Sequence, residues 1–343
     1  MKPLLGLVLL GLFVTNGFCQ EQPTVPAPSP VQGLSPAPVP VQGGAGEQRP
    51  LYLDATESRP YLLAGNHNFD NFIGFMSNPI LNIDPRAVTE LWPIWGVTRV
   101  SSTRVLPTVT VWPMPSAGIN VAIGERFSFG LNQGGYVLAE FNRESTTFVD
   151  RQGRTRTLAE FSGTRQGWLD LGGFAQYTVA QNVERQFLAS VGLRWVAPIG
   201  SSQIFQGNGP VQLAPYVTVG KGIGEFHLLA TAGYQFDVGS GGNSQQFYGS
   251  VHLDRRCFGW LYPLVEFNWV AQTKTVDLEV TTSRGYLNFG SFTFSGNLVS
   301  LAAGVNAVII PNRLELGGVY TTKLYSDSNL EFNGFLLRMT LRY

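Results

Sequence analysis

In the stretch Phe335-Leu336-Leu337-Arg338-Met339-Thr340-Leu341-Arg342-Tyr343, the side chains of Phe335, Leu337, Met339, Leu341 and Tyr343 share one face of an extended chain. Arg338, Thr340 and Arg342 share the other. Successive side chains of a strand point to opposite sides, so a period of two means a strand with two unlike surroundings. The pattern recurs upstream. In 225–237, Phe226, Leu228, Ala230, Ala232, Tyr234 and Phe236 oppose His227, Thr231, Gln235 and Asp237. In 259–271, Leu261, Val265, Phe267 and Trp269 oppose Tyr262, Glu266 and Asn268.

Extending this reading from about residue 91 predicts twelve strands: 91–101, 107–123, 126–138, 168–179, 185–197, 211–221, 225–237, 246–255, 259–271, 296–308, 313–324 and 331–343. Short turns are expected at 124–125, 180–184, 222–224, 256–258 and 309–312, and longer loops at 139–167, 198–210, 238–245 and 272–295, with a shorter one at 325–330. After the second strand, short and long connections alternate. A transmembrane β-barrel has that rhythm, with short periplasmic turns, longer outer loops and an even strand number. Strands of roughly nine to eleven residues suffice to cross when tilted. The expected fold is therefore an all-β, antiparallel transmembrane barrel of about twelve strands, with the lipid bilayer as its first partner.

Composition agrees. Of 343 residues only 13% are charged, about half the roughly 25% of an ordinary soluble domain. Lys and Arg number 23 against 23 Asp and Glu, so no basic excess exists to hold nucleic acid. Three His and two Cys offer no metal-ligand spacing and no disulfide framework, and no cofactor is expected. Trp92, Trp95 and Trp260 fall at the expected periplasmic strand ends, and Trp168, Trp195 and Trp269 at the outer ends, where a bilayer collects aromatic rings.

Upstream of the barrel the chain changes character three times. Met1-Lys2 and the apolar run from Leu4 to Val14 read as a signal peptide over 1–20, with cleavage near Cys19-Gln20. The run is shorter than the ~20 apolar residues of a spanning helix. A lipoprotein with Cys19 acylated is the second reading. Residues 21–50 hold eight of the 21 prolines, an extended linker expected in the periplasm. Segment 51–90 carries Phe69, Phe72, Ile73, Phe75 and Met76 and is placed at or inside the barrel mouth, packed on the rim or acting as a plug. Asp84-Pro85 predicts an N-cap and a short helix over Arg86-Ala87-Val88-Thr89-Glu90.

Phe75-Met76-Ser77-Asn78-Pro79, the run from Asp84-Pro85 to Leu91, Glu125-Arg126-Phe127-Ser128-Phe129 and His252-Leu253-Asp254 resemble a family of uncharacterised bacterial outer-membrane barrels. More loosely, they are similar to transporter barrels linked to phenol-degradation pathways. The resemblance spans about 70–343. It implies export to the outer membrane of a Gram-negative-type bacterium and passage of small, hydrophobic or aromatic molecules, and it carries over no catalytic residue. An aromatic Tyr343 after an alternating strand is similar to the recognition signal of such barrels.

With the apolar face toward lipid, Asp170, Arg194, His227, His252, Glu266, Glu315, Lys323, Arg338 and Arg342 line the lumen. Lipid-facing Arg or Lys would cost about 2–4 kcal/mol each at mid-membrane. Two functions fit this lining: a selective small-molecule passage, or an occluded anchoring barrel whose ion pairs fill the interior and whose loops 139–167 and 272–295 meet partners. Arg143, Arg151, Arg154, Arg156 and Arg165 make the first of those loops basic. Oligomeric state is open. Ser250-x-His252-x-Asp254 has the residue types of a nucleophile, base and orienting acid, but parity points all three inward, away from arriving acyl chains, so no enzyme is expected. Gly220-Lys221-Gly222-Ile223-Gly224 reads as a hairpin turn, and Cys257 as a lone thiol in a turn.

Overall fold

The computed structural model describes residues 63, 65–102, 108–114, 116–141, 147–149, 155–157, 163–204, 206–207, 210–239, 245–274, 296–327 and 330–343. The signal peptide, the proline-rich linker, most of loop 272–295, and Arg143, Arg151 and Arg154 lie outside them. Twelve strands follow one another in chain order: β1 (Glu90–Ser102), β2 (Val109–Met114 continuing as Ser116–Ile123), β3 (Phe127–Gln133 and Tyr136–Phe141), β4 (Gly163–Trp168 and Leu171–Asn182), β5 (Phe187–Ala197) and β6 (Val211–Ile223). They continue as β7 (Phe226–Val238), β8 (Gln245–Arg255), β9 (Leu261–Lys274), β10 (Gly296–Ile310), β11 (Leu314–Ser326) and β12 (Leu330–Arg342). Each pairs antiparallel with its sequence neighbours, and β12 returns to β1 with Glu90 opposite Arg342 and Ser102 opposite Leu330. The sheet closes, which removes the unpaired edges that cannot exist in lipid. Short turns at one end carry left-handed residues such as Gly224 (φ 59°) and Asn312 (φ 57°).

The parity of the alternation is kept. Phe247, Val251, Phe267, Trp269, Phe335 and Leu337 face outward and are exposed, while Gln246, Ser250, His252, Glu266, Asn268 and Arg338 point inward and are buried. So wide a continuous apolar exterior is not a water-facing surface. A closed twelve-stranded barrel with this exterior should run anomalously on an unboiled gel in mild detergent and shift on boiling. An unchanged position would contradict the closure between β12 and β1.

Four expectations are corrected. Strands β3 and β4 reach to Phe141 and back to Gly163, beyond the expected 138 and 168. Gly134-Gly135, with Gly135 at φ 123°, and Leu169-Asp170 interrupt the alternation, but they kink the strands and do not end them. The helix over 86–90 does not form. The segment's carbonyls are taken by barrel side chains: Gln176 Nε2 donates to those of Asp84 and Arg86, Ser190 to Pro85 and Thr218 to Ile83. Trp92 leaves the interfacial girdle. It is buried inside the barrel, flat over Gly118, where a Cβ would come within 2.2 Å of the indole, and under the Arg338 guanidinium, 5.3 Å from the ring centroid. Cys257, expected as a lone thiol in a turn, is buried and not a free thiol.

Candidate functional site

Residues 65–89 run through the interior of the barrel. Phe69, Phe72 and Phe75 pack with Leu188 and Leu229 near the short-turn end, and Ile73 and Met76 pack with Tyr262, Leu264, Ala302 and Val319. Leu81 and Ile83 join Trp92, Ile94, Phe174, Tyr216 and Tyr248. Apart from a 3-10 turn at His67–Phe69 and a few bonds within the segment, the segment is extended and irregular, so many of its peptide groups find partners on the wall. Asn132 Nδ2 donates to Ile80 O at 2.6 Å, and Asn82 Nδ2 to Asn268 Oδ1 at 2.8 Å. The Arg338 guanidinium donates to Phe75 O. These partners lie on β3, β9 and β12, and those of Ile83–Arg86 lie on β4, β5 and β6, so the contacts come from around the ring.

The densest anchor is Glu266 on β9. Its Oε1 accepts from the Met76 N–H at 2.7 Å, and its Oε2 from the Ser77 N–H at 2.6 Å and from the Ser77 hydroxyl. Oε1 also meets His252 Nδ1 at 2.6 Å. His252 Nε2 meets Asp254 Oδ2 at 2.9 Å, and Asp254 Oδ1 meets His227 Nδ1 at 2.7 Å. The four side chains form one line of alternating imidazole and carboxylate across β7, β8 and β9, all 4% exposed or less. Phe72 packs on the His227 ring and Phe75 on that of His252.

A second charged group sits at the closing seam. Glu90 of β1 pairs with Arg342 Nε at 3.2 Å and Arg338 NH2 at 3.7 Å, and Arg342 reaches Glu315. Within the segment, Arg86 grips Asp84 through Nε (2.9 Å) and NH2 (2.6 Å). Burial alone would raise the Asp84 carboxyl, but the charge and hydrogen bonds of Arg86 hold it below the usual carboxylate range.

Sequence reading named nine lumen residues. Six stand in these networks, His227, His252, Glu266, Glu315, Arg338 and Arg342, while Arg194 is buried apart from them and donates to Gln133 and Gln235. Asp170 braces the wall, its Oδ1 accepting from the backbone of Gly200 and Gly207. Lys323 lies partly exposed near the outer end, paired with Glu331. Ser250 is not set for catalysis: its hydroxyl donates to Asn268 Oδ1 at 2.7 Å, and both His252 nitrogens face carboxylates. Arg165, counted with the basic loop, stands in β4 with its guanidinium 5.5 Å from the Phe141 ring centroid. The reading missed Asp254 as a link in the line, Glu90 at the seam, and Asn132, Gln176, Ser190 and Thr218 as wall partners. Apart from Glu90, which the sequence places in the expected helix, their inward parity was available in the alternation.

Above the segment lies a cavity of 270 Å³. Its floor is Ser77-Asn78-Pro79-Ile80-Leu81, and its wall is mostly apolar, including Val100, Val111, Val137, Leu169, Val270 and Phe332.

No protein-family model matches the sequence, and no curated protein does. Among solved structures, an outer membrane channel from Pseudomonas putida F1 is similar over 75% of this chain and 96% of its own, with a TM-score of 0.52 and 10% identity. The NalP autotransporter translocator domain from Neisseria meningitidis (75% and 89%, 0.45, 8%) and the NanC porin (73% and 100%, 0.43, 9%) overlap less well and decide nothing. At such identities the likeness is one of fold alone. Fold, exterior and interior together define this protein as an outer-membrane β-barrel.

Proposed function

We propose that this barrel gives small molecules passage across the outer membrane, with residues 65–89 as an internal plug and the cavity above it as the receiving chamber. The observation that carries this reading is the cavity itself. It is lined mainly by apolar wall residues at a level where an anchoring barrel needs only packed side chains. An apolar cavity of about 150 Å³ already accepts benzene, so 270 Å³ suits a substituted single ring or a short chain. The sequence likeness to barrels of phenol-degradation pathways points toward the same molecules. Export by the N-terminal signal, with residues 21–50 in the periplasm, belongs to this reading. The charged lumen residues serve in it to dock the plug and shape the passage, and no catalytic step is assigned. An occluded anchoring barrel is favoured by one observation, the density of contacts that hold the segment.

Folded protein in lipid nanodiscs is expected to bind a neutral single-ring probe such as benzyl alcohol, measured by calorimetry against protein-free discs. Val270→Trp, which fills the chamber from β9, is expected to abolish that binding while the boiling shift is kept. Binding unchanged by Val270→Trp would place the probe elsewhere and remove the chamber from the mechanism.

A further inference from the structure

Toward the outer end the ladder between β4 and β5 stops. The last residue of β5, Ala197, stands opposite Leu171. The outer part of β4, Gly163–Trp168, continues past it with β3 on one side and, among the described residues, no strand on the other. A sheet edge left open in a membrane barrel must be covered. The cover is the loop that follows β5. Trp168 O accepts from the Ser201 N–H at 2.8 Å, and the Trp168 N–H donates to Ser201 Oγ at 3.0 Å. Ile204, wholly buried, joins the apolar cluster of Val100, Val111, Val137 and Leu298. Its Cγ1 would lie 3.3 Å from a Cβ on Gly167, the residue opposite Val137.

One side chain fastens this loop at both ends. Asp170 Oδ1 accepts from the Gly200 N–H at 2.9 Å and from the Gly207 N–H at 2.7 Å, and the Asp170 N–H donates to Gln206 Oε1 at 2.9 Å. The two glycines meet: a Cβ at Gly207, where φ is 70°, would lie 2.2 Å from the Gly200 carbonyl oxygen. Gly200–Gly207 is thus a loop with joined ends, an Ω-loop in form, and its ends are tied through a single carboxylate oxygen. Ile204 and Gln206 are buried, while Ser202 and Gln203 are exposed. So small an apolar footing belongs to the low-stability end of a structure, from which moving lids are drawn. The loop also has a space on each side. Outward, Gln203 borders a groove of 610 Å³ with Thr164, Arg165 and Gln166 of β4. Inward, Val137 and Leu169 line the apolar cavity, and Leu169 lies between Trp168 and Asp170, the two residues to which the loop is bonded. Consecutive residues, Gln203 and Ile204, therefore meet the polar groove and the apolar cluster around the chamber.

We propose that Gly200–Gly207 is the outer gate of the chamber and that Asp170 is its latch, a positioning residue that acts through the Gly200 and Gly207 amides. The inference rests on the chamber reading above and adds the way in. Release of the two amides from Asp170 lifts Ile204 from the wall, and the chamber beside Leu169 then opens to the outer groove. Hydrogen bonds to a charged acceptor are the strong ones, so the latch keeps the loop closed most of the time. The gate sets how fast a molecule enters, and the segment below decides whether a path continues.

Thiol labelling of the full chain in nanodiscs tests it. Val137→Cys places a thiol in the chamber, and its reaction with methyl methanethiosulfonate, a small neutral reagent, is timed against the unsubstituted protein. Adding Asp170→Ala should speed that labelling about tenfold or more, the scale of one hydrogen bond to a charged group. Hydrogen exchange at Gly200 and Gly207 should accelerate with it. Gly167→Ala, whose methyl would lie 2.4 Å from Ser201 Cβ, should dislodge the loop without touching Asp170 and give the same acceleration. Both variants should keep the boiling shift. Faster exchange with unchanged labelling would show that the loop opens away from the route and would overturn the gate. Exchange unchanged by Asp170→Ala would overturn the latch. Labelling that accelerates as expected in a protein that binds no benzyl alcohol would uphold the gate and remove the chamber as a ligand site.

Discussion

A barrel lacking residues 59–89 is expected to conduct ions in a planar bilayer, in open steps that the full-length chain does not show. The segment supplies the apolar fill of the lower lumen, from Phe69 to Ile83, and its peptide groups bond to inward side chains of six strands. An eight-stranded barrel is filled by its own side chains and a sixteen-stranded one leaves an aqueous channel. Twelve strands leave a space that needs a separate filler, and here a stretch of chain provides it. Once the segment is gone, Glu266, His252, Asp254, Arg338 and Glu90 would be rehydrated, and a water-filled lumen lined by ionised groups conducts. The wall does not depend on the segment for its edges, because β12 pairs with β1 directly. Truncated protein that keeps its boiling shift but stays silent would show that the interior is closed by the wall, and the anchoring reading would replace passage.

The second large effect is expected at Glu266. Glu266→Leu leaves the Met76 and Ser77 amides, the Ser77 hydroxyl and His252 Nδ1 without their acceptor, all in a dry interior. Removing one partner from a buried charged pair costs about 3–5 kcal/mol. That cost should fall on the docking of the segment, since the β9 backbone still pairs with β8 and β10. Hydrogen exchange at Met76 and Ser77 should therefore accelerate about a hundredfold or more, while amides of the wall strands keep their protection. Glu266→Gln should give a smaller change, because its amide oxygen still accepts while its NH2 opposes the donors around it. Unchanged exchange at Met76 and Ser77 in Glu266→Leu would mean that Glu266 does not anchor the segment.

The alternation of residues such as Phe335 to Tyr343 was enough to predict the strands, their number and the side each residue faces. That information is local: a period of two needs only the neighbouring residues to be read, and one buried face forces the register. The inward set from His227 to Arg342 followed from parity alone. The fate of segment 65–89 was not legible. Asp84-Pro85 carries a sound local helix signal, yet Gln176, Ser190 and Thr218, some ninety to 135 residues away in sequence, take the bonds a helix would have made. The joining of Ser77 to Glu266 across 189 residues and the inward turn of Trp92 likewise depend on which strands the closed barrel brings face to face. Local pattern decides which way a side chain points. Only closure decides what it meets, because the lumen is assembled from all twelve strands at once.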